Sequence, residues 1–244
     1  MRSSRDYREN LNDYTTEYVH PSMARSVDQK ILRMLVSKAV CWLEGPAVLE
    51  MGYGDGAWTE RLIQRFGRSH IVDASSELLQ AARALYGDKV TTYCSYFEEF
   101  EPPMLFDSVV CTYVLEHVVD PILVLSQSRA WLKPNGLLMA AVPNATSLHR
   151  RLAVAMGLQA DVYQLGESDA SIGHRRVYDA PRMEADLASA GFRIERREPM
   201  MFKPLPNSLL AHLSGAQLEG IFKLGFDIPE DQRGVLVCLC RPSH

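Results

Sequence analysis

Ten consecutive residues, Ala47-Val48-Leu49-Glu50-Met51-Gly52-Tyr53-Gly54-Asp55-Gly56, join an apolar strand pattern to a carboxylate and three alternating glycines. Glycine accepts φ > 0 and lets the backbone come close to a ligand. Trp58 to Phe66 reads as the helix that follows, and a helix N-terminus offers free N–H groups to whatever such a loop holds. A second carboxylate, Asp73, closes the strand reading of Ser69-His70-Ile71-Val72-Asp73. An acid about 20 residues past such glycines is placed to accept hydrogen bonds from ribose hydroxyls. The plainer role for Asp73 is a cap on the helix that begins near residue 75. Three histidines, His117, His149 and His174, are the candidates for acid–base catalysis. Imidazole titrates near neutral pH, which suits a base that takes a proton from a hydroxyl. Each also has a bland reading as a surface or capping residue.

Glu50 discriminates among ligands. A dinucleotide places its pyrophosphate at a loop of this kind, and a carboxylate two residues before the first glycine would repel it. S-adenosylmethionine carries an ammonium and a sulfonium and no phosphate, so nearby negative charge favours it. Glu50 with Asp73 therefore points to that cofactor and away from a nucleotide-dependent oxidoreductase.

The elements that must position these residues follow from periodicity. Apolar positions between Val27 and Leu43 recur at helical spacing, and Gly45-Pro46 ends that helix. Helices are expected at 75–86, with Ser75 or Ser76 as the cap, and at 121–132; strands at 90–94, 108–112 and 137–142 complete a β–α alternation. That alternation implies a parallel sheet with helices on both faces. After Asn144 the pattern loosens. A helix is read over 147–156, little periodicity over 157–173, a helix over 181–190, a strand over 192–198, a helix over 209–224 and a last strand over 234–241. The whole chain, 1–244, reads as one domain with an N-terminal helical segment over 1–45. The segment of about 144–180 reads as a lid or acceptor insertion. Tyr7 to Met23 is expected to order over the site with it, bringing Tyr14 and Tyr18 toward ligand.

Composition narrows the function classes. With 244 residues and 47% apolar content the chain can bury a substantial core, and its net charge of −4 argues against a general nucleic-acid binder. The five cysteines, at 41, 94, 111, 238 and 240, are odd in number and lie among Val and Leu. They read as buried reduced thiols of a cytoplasmic protein. Cys238 and Cys240 share a strand face, and core packing is the better reading for them than a metal. No apolar run is long enough to span a membrane, and the polar N-terminus lacks a signal-peptide core. No metal site is expected: Asp120-Pro121 looks like a helix start, and Asp120 and Asn144 do not make a ligand set. Arg150, Arg151, Arg175 and Arg176 could grip an anionic acceptor group or simply form solvated faces.

Two further runs carry a family resemblance: Phe106 to Pro121, with Leu115-Glu116-His117-Val118-Val119-Asp120-Pro121 at its end, and Trp131-Leu132-Lys133-Pro134-Asn135-Gly136-Leu137-Leu138. Together with the glycine loop they make the chain resemble class I S-adenosylmethionine-dependent methyltransferases, over roughly Val48 to Phe192. The Leu-Glu-His run is most similar to the ubiquinone-biosynthesis-type, small-molecule branch. The resemblance implies a Rossmann-like, doubly wound, mostly parallel seven-stranded sheet with an antiparallel last strand. It implies S-adenosylmethionine binding by Glu50, Gly52, Tyr53, Gly54, Gly56, Asp73, Ala74, Tyr96, Phe97, Thr112, Tyr113 and Val114. Tyr96 stands where an acid is usual in the family, which puts the contact to the adenine amino group in doubt. The implied activity is methyl transfer to an O or N atom of a small organic acceptor, by a monomer or homodimer. The alternatives are a degenerate member acting as a partner or scaffold, and a methyltransferase acting on a peptide.

Overall fold

A computed structural model describes residues 23–205 and 210–243. Tyr7, Tyr14 and Tyr18 lie outside the described residues. In chain order the structure contains α1 (Met23–Ala39), β1 (Val48–Met51), α2 (Ala57–Phe66), β2 (Ser69–Asp73), α3 (Ser76–Tyr86), β3 (Val90–Cys94), β4 (Phe106–Thr112) and α4 (Pro121–Ala130). It continues with β5 (Leu132–Pro143), α5 (Leu148–Ala155), α6 (Glu167–Ser171), α7 (Ala180–Ser189), β6 (Phe192–Arg197), α8 (Gly215–Leu224) and β7 (Val235–Pro242). The strands form one seven-stranded sheet in the order β3-β2-β1-β4-β5-β7-β6. Pairings from β3 through β5 are parallel, and β7 runs antiparallel to both its neighbours, β5 and β6. The expected fold class is therefore the observed one.

Alternation along the central strands divides the core in two. Leu49, Met51, Val109, Cys111, Leu138 and Ala140 pack on one face with Val124 and Leu125 of α4 and Met183 and Leu187 of α7. Val48, Val110, Met139, Ala141, Val237 and Leu239 pack on the other with α1, α2 and Leu218 of α8. Covering both faces is what a parallel sheet requires. Cys238 and Cys240 lie with Leu236 in the first core, so packing accounts for them. Cys41 and Cys94 are exposed, against the expectation that all five thiols are buried; all the cysteines are free.

Local signals set the element ends. Ser75 Oγ accepts from the Leu78 backbone N–H at the start of α3, and the Asp120 carboxylate accepts from that of Leu123 ahead of Pro121. Both are the caps the sequence implies. The first helix begins earlier than Val27 and gives way to a single 3-10 turn over Val40–Trp42. Three other boundaries move: β4 and β5 start earlier than expected, and α8 starts later. Among the described residues, no helix is long and apolar enough to cross a membrane.

Candidate active site

The C-terminal ends of β1, β2 and β4 open into a cleft of about 380 Å³. Open α/β sheets bind ligands at this edge. Gly52, Gly54 and Gly56 all have positive φ (77°, 55° and 74°), as the loop reading requires. A Cβ on Gly56 would also sit 2.8 Å from the Tyr53 hydroxyl, so any other residue there would be strained and would have to displace the Tyr53 ring. Asp73 anchors this loop. Its Oδ2 accepts from the Tyr53 backbone N–H at 2.8 Å and its Oδ1 from that of Ser75 at 2.7 Å. Burial raises the Asp73 pKa, and these two N–H groups oppose the rise. The cap on α3 is Ser75, and Asp73 lines the cleft.

Glu50 has a different surrounding from that of a free charge at the loop. It is 1% exposed and its Oε2 accepts from Thr59 Oγ1 of α2 at 2.6 Å. Burial pushes its pKa well up, with Thr59 working against the shift. Glu50 thus ties β1 to α2 beneath the glycines while still lining the cleft. A cationic ligand above it would favour its charged form.

Ala74, Tyr96, Phe97, Thr112, Tyr113 and Val114 also line the cleft. Val114 and Phe97 pack against the core as well, so they serve both purposes. Tyr113 has φ 57° at the end of β4, a conformation that a bulky residue adopts only when its surroundings impose it.

His117, His149 and His174 all line the cleft, as does Asp169, a carboxylate that sequence reasoning missed; a second, Glu116, is buried beside His174. His117 and His174 meet edge to face with ring centroids 4.7 Å apart. Nδ1 of His174 is 3.0 Å from Asp169 Oδ1, and its Nε2 is 4.0 Å from Glu116 Oε1. Asp169 also accepts from Arg150 at 2.6 Å and from the Gly166 backbone N–H at 2.9 Å. Burial works against its charge, yet the hydrogen bonds from His174 and Gly166 and the Arg150 charge hold it well below the usual carboxylate range. Glu116 is 1% exposed and neither side-chain oxygen has a hydrogen-bond partner. Burial lifts its pKa to about 7, partly offset by His174 and Arg176. His149 lines the same cleft. Burial first, then the charges of Lys203 and Arg150, push its pKa down to about 3, so it is neutral at pH 7.

The arginines do not behave as the sequence suggests. Arg150 is buried and donates to the carbonyls of Val162 and Gln164 as well as to Asp169. Arg176 donates to the carbonyls of Leu115, Val118 and Val119, the turn that carries Glu116 and His117. Arg151 is half-exposed and lies 3.8 Å from Asp231. Arg175 lines the cleft, and its backbone N–H donates to the Glu116 carbonyl. Arg176→Met is expected to lower stability by roughly 2–4 kcal/mol, because three carbonyls of one turn lose a charged donor. That corresponds to a drop in Tm of about 4–16 °C. An unchanged Tm in calorimetry would show that the clasp does not hold the turn.

Asn144 and Asp120 are fully accounted for. The Asn144 amide donates to the carbonyls of Asp231 and Arg233, and its oxygen accepts from Thr146. Asp120 caps α4. Among the described residues, the group that could present ligand atoms to a cation is Glu116, His117 and His174, whose nearest such atoms lie within 4.8 Å of one another.

Known proteins agree with this geometry. The family described as "Methyltransferase domain" matches residues 18–196. Ubiquinone biosynthesis O-methyltransferase of Xylella fastidiosa (strain M23) is 28% identical over 219 residues, 84% of this chain and 87% of the relative. The fold is shared with magnesium protoporphyrin IX methyltransferase of Synechocystis PCC 6803 with bound S-adenosylhomocysteine (TM-score 0.59, 17% identity, 98% of each chain). It is shared too with Burkholderia thailandensis 1,6-didemethyltoxoflavin-N1-methyltransferase, solved with 1,6-didemethyltoxoflavin and S-adenosylhomocysteine (TM-score 0.59, 15% identity, 96% of this chain and 87% of that one). With its glycine loop, Asp73 and cleft edge all in place, the chain belongs to this methyltransferase family and is a class I S-adenosylmethionine-dependent methyltransferase.

Proposed function

We propose that this methyltransferase acts on a hydroxyl of a small organic acceptor, with His174 as the general base. One observation carries the reading: Asp169 holds Nδ1 of His174, and the imidazole faces the cleft beside Glu116. A histidine oriented by a carboxylate keeps its other nitrogen free to accept a proton. An amine acceptor needs no strong base, so a built carboxylate–histidine pair favours oxygen. The Xylella relative is by name an O-methyltransferase of ubiquinone biosynthesis, which supports the same choice.

S-adenosylmethionine supplies an electrophilic methyl group on sulfur. The protein aligns and deprotonates. The acceptor O–H would give its proton to Nε2 of His174 as its oxygen bonds to the methyl carbon, while the methyl–sulfur bond breaks and its electron pair leaves with the sulfur of S-adenosylhomocysteine. Alignment on the sulfur–carbon axis can lower the barrier by several kcal/mol, up to about 7–11 in ideal cases. Residues 144–180 include α5 and α6 and supply His149, Arg150, Asp169 and His174 to one wall, consistent with the expected acceptor insertion. Their role as a lid that closes and excludes water belongs to this proposal.

The test is transfer of labelled methyl groups to paired phenols and anilines, with and without a chelator. Phenols should be methylated and the chelator should have no effect. Methylation of anilines alone would move the reaction to nitrogen. Activity lost to the chelator and restored by magnesium or zinc would reassign Glu116, His117 and His174 to a metal.

A further inference from the structure

The cleft holds further polar side chains besides the His174 pair. Lys203 lines the cleft with its side chain only 15% exposed. Its ammonium lies 3.4 Å from Asp28 Oδ1 of α1, a loose contact at the margin of a hydrogen bond. His149, at the start of α5, lines the same cleft, and its Nδ1 is buried without a hydrogen-bond partner. Buried polar atoms of native proteins are normally paired, and an orphan in a cleft is a place where a ligand completes the pairing.

The backbone that carries Lys203 is held firmly. Met201 has φ 70°, its carbonyl accepts from the Gly234 backbone N–H at 2.6 Å, and Met200 bridges to Val235. Strain in a bulky residue persists where surroundings enforce it and collects at ligand sites. Met201, Gly234 and Val235 all line the cleft, so the strained segment faces ligand.

From these features we propose that Lys203 and His149 form a subsite for a carboxylate on the acceptor, at the end of the molecule away from the methylated oxygen. This deepens the proposed function and rests on it. One carboxylate oxygen would accept from the Lys203 ammonium, which retains donors beyond the one turned to Asp28. The other would accept from an N–H of the His149 ring, whose neutral form has one donor to offer. Burial and the neighbouring cations keep that ring from carrying a charge of its own, so an anion is the ligand charge that relieves the site. The arginines that seemed suited to this task are engaged elsewhere: Arg150 and Arg176 hold backbone carbonyls. Lysine acts here as a point charge, adequate for a single carboxylate without the forked geometry of arginine.

The experiment uses the full chain saturated with S-adenosylhomocysteine. Two matched pairs are titrated by calorimetry: 4-hydroxybenzoate against 4-hydroxybenzamide, and 4-hydroxycinnamate against its amide. At least one acid should bind ten times more tightly than its amide or better, and Lys203→Met should abolish the difference while Lys203→Arg retains part of it. The ring ¹⁵N shifts of His149 should move with acid and not with amide. Unchanged S-adenosylhomocysteine binding by Lys203→Met shows that the variant is folded and leaves the methyltransferase assignment standing. The subsite is overturned if acids and amides bind alike, if neither binds, or if the preference survives in Lys203→Met.

Discussion

Asp73→Ala is expected to weaken binding of S-adenosylmethionine and S-adenosylhomocysteine at least a hundredfold. Two ribose hydroxyls donating to a charged acceptor would contribute about 1.5–3 kcal/mol each, and the substitution would remove both bonds together. The structure adds a second cost. The same carboxylate holds the Tyr53 and Ser75 backbone N–H groups, so its removal also frees the glycine loop. Asp73→Asn is no gentler control. An amide can accept from one of those N–H groups but presents its own NH₂ to the other. Asparagine should therefore behave nearly as badly as alanine, which a charge effect alone would not require. Calorimetry with S-adenosylhomocysteine decides the matter: a loss below threefold in Asp73→Ala would remove Asp73 from the cofactor site.

His174→Ala should lower kcat about 10²–10⁴-fold, the range for loss of a positioned base. KM for the acceptor should change little, because the proton moves only in the transition state. Asp169→Asn should reproduce much of that loss with the imidazole still present. Asn also breaks the Arg150 ion pair, so the variant needs a structural control. Arg150→Lys supplies it: the charge stays but the fork that reaches Val162 and Gln164 does not. If Arg150→Lys costs as much kcat as Asp169→Asn, the pair merely supports the wall. His117→Ala separates the two histidines. A loss larger than that of His174→Ala would shift the base to His117.

Much of this arrangement is legible in the sequence, and the exceptions have physical causes. Ser69–Asp73 and Val90–Cys94 form strands with the predicted ends, since apolar runs there stop at a carboxylate and at a polar loop. At β5 the Lys133-Pro134-Asn135-Gly136 run looks like a turn and hides the true start. The strand begins at Leu132, opposite Phe106, and a register shift absorbs the extra residues before Leu137 meets Ser108. The helix expected from residue 209 begins at Gly215, because Ser214 and Gln217 form a reciprocal cap. Apolar periodicity concealed that signal, although it was present in the sequence. The site divides along the same line. Glycines and Asp73 announce themselves because their chemistry is local. Arg150 and Arg176 pair with carbonyls, which no side-chain pattern records. Asp169 and Lys203 fall in stretches without periodicity, and only folding brings them to the cleft. Glu116 stood inside the Leu-Glu-His run, yet its burial without a partner is a property of three dimensions.

Strand β7 sits between β5 and β6, although it is the last to be made. During synthesis β6 emerges roughly forty residues before its neighbour. At about 5–20 residues per second, β5 keeps an open edge and β6 has no strand to pair with for some 2–9 s. Open edges invite pairing with the wrong chain. A chain that stops short of Val235 lacks β7, which leaves β5 with an open edge and β6 without a strand to pair with. Such fragments are natural clients for chaperones, and a separately supplied β7 peptide has a vacant place to enter.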